Sequence, residues 1–106
     1  MVAAEHLQEL AELCGDAQEM QEGGKSYVLL SKVQLAGGLE SAALLCPQEH
    51  SGYSTRLFLP QPVPGRGANW TMHYIMGRNW YSWSWQGVPA SLRPAEILAA
   101  HLRPLR

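Results

Sequence analysis

Charge is scarce in this 106-residue chain: 16% of its positions are Asp, Glu, Lys or Arg, and the formal net charge is -1. The eight basic residues form no run. No field exists to hold a phosphate backbone or an anionic bilayer, so neither nucleic acid nor membrane is expected as a partner. Long apolar stretches are missing too; the longest are a few residues, against the roughly 20 that a bilayer-spanning helix needs. The opening MVAAEHLQEL carries Glu5 and Glu9 where a signal peptide has a basic end and an apolar stretch, which points to a cytoplasmic rather than a secreted chain. Cysteine is limited to Cys14 and Cys46, without CxxC spacing. That excludes a disulfide framework and a cysteine-based metal site, and no cofactor is expected. Asn69-Trp70-Thr71 matches a glycosylation sequon, which has meaning only in a secreted eukaryotic chain.

What the chain does have is apolar and aromatic material, 46% hydrophobic residues with four Trp and four Tyr. That is enough to bury a core and too little length for two, so residues 1–106 are expected to form a single domain.

Ala3, Leu7, Leu10 and Cys14 recur at helical spacing and Gly15 supplies a stop. A polar segment from Ala17 to Glu22, the pair Gly23-Gly24 and the run from Tyr27 to about Leu35 read as a hairpin. Ser41 to Cys46 and Ser54 to Leu59 supply two further strands. The proline-rich Pro60 to Gly67 must be a loop, because proline lacks the donor a ladder needs. Trp70 to Met76 and Trp80 to Trp85 flank Gly77-Arg78-Asn79 and read as a second hairpin, with Trp80, Ser82 and Ser84 on one face and Tyr81, Trp83 and Trp85 on the other. Pro94 fits the first turn of a last helix, whose stripe is Ala95, Leu98 and Leu102 and whose end is Pro104. The order predicts an α+β fold: an N-terminal helix, a four-stranded antiparallel meander, an extra hairpin and a C-terminal helix.

Several phrases, in this order, carry a family resemblance: Tyr27-Val28-Leu29-Leu30, Leu44-Leu45-Cys46-Pro47, Gly52 to Phe58, Asn69-Trp70, Gly77-Arg78-Asn79-Trp80, Trp83-Ser84-Trp85, Leu92-Arg93-Pro94 and Ala99-Ala100-His101-Leu102. The chain resembles a bacterial branch of the ubiquitin-conjugating-enzyme (UBC) superfamily, the prokaryotic family E. The resemblance implies a UBC-like fold, a ubiquitin-like modifier protein and an activating enzyme as partners, and a setting in bacterial conjugation operons with a role in antiphage defence.

A standard member of that superfamily carries the modifier as a thioester on a cysteine after the fourth strand, preceded by His-Pro-Asn. Here no cysteine follows position 46 and His-Pro-Asn is absent. The transferase reading implied by the resemblance then needs a substitute nucleophile, and Ser84, or failing that Ser82, stands in the right region to carry an oxyester. A hydroxyl, unlike a thiol, needs a general base near neutral pH. His73 and His101 are the candidates, with an ordinary pKa of about 6.5. His50 and His6 read as solvated. The plain readings stand beside these: a serine between tryptophans as a strand residue, a helix histidine as structural, Cys14 and Cys46 as core thiols. The tryptophans divide between core filling and an interface, and Arg56, Arg66 and Arg78 between solvated surface and a carboxylate site.

Three functions follow: a carrier that accepts a ubiquitin-like protein as an oxyester, a catalytically inactive UBC-like adaptor, and a defence component that shares only the meander topology.

Overall fold

The computed structural model describes residues 2–65, 69–83, 85 and 87–105. Helix α1 (Ala4–Cys14) ends at Gly15, whose φ of 84° suits a residue without a side chain. It lays Leu7, Leu10 and Cys14 on the core. A tight turn at Gly23-Gly24 then joins β1 (Ala17–Glu22) to β2 (Lys25–Gln34), in the register Glu22 to Lys25 and Ala17 to Leu30. Strands β3 (Glu40–Cys46) and β4 (Arg56–Phe58) complete an antiparallel sheet in the order β1-β2-β3-β4. The fold is α+β, as its element order predicts.

Strands β5 (Trp70–Ile75) and β6 (Arg78–Trp83) form the second hairpin. Its turn is the pair Met76-Gly77, with φ of 49° and 82°, rather than Gly77-Arg78-Asn79. Two consecutive positive φ angles make the turn that matches strand twist, and the glycine carries one of them without strain. Met76 at the other is not the Asn or Asp that usually signals this turn, so the sequence places it one residue late. Leu59 and Tyr81 exchange two backbone hydrogen bonds of 2.8 Å, which couples β4 to β6 and carries the sheet on through the hairpin.

Alternation of side chains splits this sheet into two cores. Val28, Leu30, Ala43, Leu45, Leu57 and Leu59 face the helices and pack with Leu10, Cys14, Ile97, Leu98 and Leu102. Tyr27, Leu44, Cys46 and Phe58 point the other way and meet Ile75 and Trp80 from the hairpin. The sheet therefore curls, and the hairpin tip returns to the β1–β2 turn, where the Met76 N–H donates to the Glu22 carboxylate at 2.9 Å.

Helix α2 (Pro94–Leu102) starts at a proline, and Glu96 accepts from the Arg93 N–H at 3.2 Å. Its buried face is Ile97, Leu98, His101 and Leu102. The Arg93 guanidinium lies 3.8 Å from Glu9 of α1, an exposed tie between the helices worth well under about 1 kcal/mol. Among the described residues no helix is long and apolar enough to cross a membrane.

Candidate functional site

The dipeptide Thr55-Arg56 enters β4 and sends its two side chains to opposite faces of the sheet, each to a histidine. Thr55 is buried, and its hydroxyl donates to the Val88 carbonyl at 2.9 Å. The hydroxyl has only one proton to give. The 2.8 Å contact from the same oxygen to His101 Nε2 must then be donated by the ring, so His101 carries its proton on Nε2. Burial, and secondarily the charge of Arg56, lowers the His101 pKa to about 4. At neutral pH His101 is an uncharged donor that ties α2 to the approaches of β4 and to Val88.

Arg56 goes to the other side. It is 4% exposed, and its Nη1 donates to His73 Nε2 at 2.7 Å. A guanidinium has no acceptor to offer, so His73 Nε2 is the acceptor and its proton is on Nδ1. The Thr71 hydroxyl lies 2.9 Å from the same nitrogen. Burial and then the neighbouring Arg56 hold the His73 pKa below the ordinary histidine value. The Arg56 guanidinium also covers the face of Tyr53 at 4.0 Å.

His50 completes the cluster. A backbone bridge to Tyr53 across the Ser51-Gly52 turn holds it inward, with its ring edge-on to Phe58 at 5.1 Å and to His73 at 5.4 Å. It is buried rather than solvated, because this turn folds back over Tyr27 and Phe58. Burial, then the charges of His73, Arg56 and Lys25, lower its pKa. His50 and His73 line a groove of about 420 Å³ that opens between the β1–β2 turn and β5, with Lys25, Met72 and Tyr74 on its walls. A larger, mostly apolar groove of about 480 Å³ runs between the two helices and the end of β2, beside Leu13 and Leu98.

Of the four residues selected from the sequence as catalytic, the three that are described, Ser82, His73 and His101, do not assemble into one site. Ser84 lies outside the described residues, as does Arg66. Ser82 is 1% exposed and shares the inward face of β6 with Trp80. Among the described residues no hydrogen bond joins its side chain directly to a histidine; the Thr71 hydroxyl lies within reach of both the Ser82 carbonyl and His73 Nε2, and its one proton serves only one of them at a time. His73 and His101 sit on opposite faces of the sheet. Both cysteines are buried, Cys46 within the second core with its thiol 3.5 Å from the Gln48 carbonyl.

The tryptophans divide three ways. Trp80 is core, Trp70 and Trp83 pack half-buried on the main core, and Trp85 is exposed, stacked on Trp83 at 5.5 Å and 7°. Of the arginines, Arg78 is exposed and lies over Trp80 at 4.4 Å, whereas Arg56 is interior. The signal that places Arg56 inside was present in the sequence: it falls in register with Phe58 at i+2, which a regular strand puts on the same face. No groups of three or more His, Cys, Asp or Glu are arranged to hold a metal ion among the described residues. Comparison with known proteins finds no matching family model, no matching curated protein and no matching solved structure.

Proposed function

We propose that the protein is a ubiquitin-conjugating-enzyme-like adaptor that binds a bacterial ubiquitin-like protein, or the enzyme that activates it, without covalent exchange. The reading takes its family from the ordered motifs of the sequence and its non-catalytic character from one observation. Neither histidine that would activate a hydroxyl is placed to do so: His73 Nε2 already accepts from Arg56, and His101 is buried on the opposite face of the sheet with its Nε2–H given to Thr55. A general base must present a free lone pair to the proton it takes. The buried thiols of Cys14 and Cys46 offer no route to a thioester either.

The carrier reading is favoured by the place of Ser84 in the chain, directly after β6 and between the stacked Trp83 and Trp85. The two readings separate by intact mass. The chain is incubated with an activating enzyme, a ubiquitin-like protein from the same genome and ATP. Binding without an adduct supports the adaptor. An adduct that resists thiol reductant, yields to hydroxylamine and disappears in Ser84→Ala would replace the adaptor with an oxyester carrier. Absence of both binding and adduct would remove the conjugation reading altogether.

A further inference from the structure

Arg56 is an interior cation without an anion among the described residues: no carboxylate forms an ion pair with it, and its Nε is buried without an acceptor. An arginine cannot shed its proton to escape this situation. A neutral imidazole and an aromatic face are weak substitutes for a carboxylate. Trp80, in register with His73 on the same inward face, adds a second buried donor, its Nε1, without an acceptor. What these groups lack in common is an acceptor, and one of them calls for a negative one.

A path leads there. His73, which holds Arg56, lines the groove between the β1–β2 turn and β5, and Lys25 stands on its wall. The neighbouring acids are already engaged: Glu22 accepts from the Met76 N–H, and Glu49 accepts from the Gly52 N–H and pairs with Lys25. Beside the groove β5 pairs with β6 alone among the described strands, and its Met72 and Tyr74 are 60% and 72% exposed. An open strand edge offers backbone groups to an extended chain. No Lys or Pro guards it; the strand reads Trp-Thr-Met-His-Tyr-Ile.

We propose that this groove binds the C-terminal carboxylate of an extended peptide, the peptide lying along β5 and its carboxylate reaching Arg56 in place of His73. The occupant is chosen by the charge of Arg56, a buried guanidinium with an unfilled donor; Lys25 at the mouth is already paired with Glu49 and Glu22 stands on the wall, so Arg56 alone carries the selection. A carboxylate fits the planar guanidinium fork with two parallel hydrogen bonds. His73, released from Arg56, is then free to donate to the same carboxylate. The inference rests on the function proposed above, in which the peptide is the tail of the ubiquitin-like partner.

The test uses the full chain and the N-acetylated peptide Thr-Val-Thr-Val-Gly-Gly, as free acid and as C-terminal amide, with the His50, His73 and Trp80 ring resonances as readout. The free acid should shift all three saturably, and the amide should bind at least about tenfold more weakly. Arg56→Met should remove the preference for acid over amide, while Arg93→Gln, beside Glu9 and away from the groove, should keep it. Equal binding of acid and amide, shifts confined to other rings, or a preference that survives in Arg56→Met would overturn the site. So would inorganic phosphate displacing the peptide at equal concentration, since that marks a general oxyanion site. Should Arg56→Met not fold, the comparison of acid with amide on the native chain decides alone. Peptide binding without binding of any intact ubiquitin-like protein would support this site and count against the adaptor function.

Discussion

The Thr55 hydroxyl stands 2.8 Å from His101 Nε2 and donates its own proton to the Val88 carbonyl, so one buried oxygen joins the start of β4, the segment before α2 and α2 itself. The bond needs a proton on Nε2, which the neutral ring supplies in its Nε2–H tautomer. Protonation adds a charge in a buried place whose nearby charge is the cation Arg56.

Acid should therefore loosen the fold through His101. Above pH 6.5 the ring is neutral in both the folded and unfolded states, and its contribution is constant. Below 6.5 the unfolded chain takes the proton first, so stability falls until about pH 4, where the folded ring is protonated as well. The loss across that window is on the order of 3 kcal/mol. His50 and His73 act in the same direction, since both are held below the ordinary value. Urea unfolding between pH 7 and 4 should show this slope, with a smaller slope in His101→Gln. An unchanged slope in that variant would place the sensitivity elsewhere.

Replacing Thr55 by valine keeps its shape and deletes the shared oxygen. His101 Nε2–H and the Val88 carbonyl then lose their partner inside the core. Two orphaned groups at about 1–3 kcal/mol each, partly relieved by relaxation, give an expected loss of roughly 2–4 kcal/mol. Thr55→Ser, which keeps the hydroxyl, should lose less than half of that. Equal stability of Thr55→Val and the native chain in urea would show that the bond contributes nothing.

The sequence carried the element order well, because each strand is bounded by Gly or Pro and each helix by a glycine stop or a proline start. It carried the two-sided sheet less well. Cys46, Arg56 and Phe58 sit on one face by alternation, yet a polar residue between apolar neighbours reads locally as exposed until the second face is known to be covered. That cover comes from Ile75 and Trp80, distant in the chain, and the bridge from Leu59 to Tyr81 that positions them has no local signature. His50 reads as solvated in the sequence for the same reason: its turn is polar, but what it folds onto is Tyr27 and Phe58. His101 and His73 each bond to one residue of the Thr55-Arg56 pair. Their separation onto opposite faces follows from the parity of Thr55 and Arg56, which becomes readable only once β4 is placed.

Arg56 should prove a poor stabiliser. A guanidinium taken from water without a carboxylate carries a desolvation cost that its bond to His73 and its contact with Tyr53 only partly offset. Methionine has similar length and flexibility and no charge to bury. Arg56→Met should change the stability by less than about 1 kcal/mol, in either direction, because the lost bond and the relieved desolvation oppose each other. A loss of roughly 3 kcal/mol or more in urea unfolding at pH 7 would show that Arg56 is held for the fold rather than for a ligand.

Both thiols should be silent in the native chain. Cys14 is 4% exposed between α1 and the sheet, and Cys46 is 0% exposed beneath Tyr27 and Phe58. Burial raises the pKa of each, which cuts the thiolate fraction that any alkylating or acyl-accepting reaction requires. Labelling then has to wait for the protein to open, and because each cysteine sits in a core cluster, that opening should be close to global unfolding. Iodoacetamide at pH 7 should therefore modify neither residue over hours in buffer and both within minutes in concentrated urea, as read by intact mass. Rapid native labelling of Cys46 would mean that the second core opens on its own, and Cys46 would then have to be reconsidered as an acceptor of the modifier.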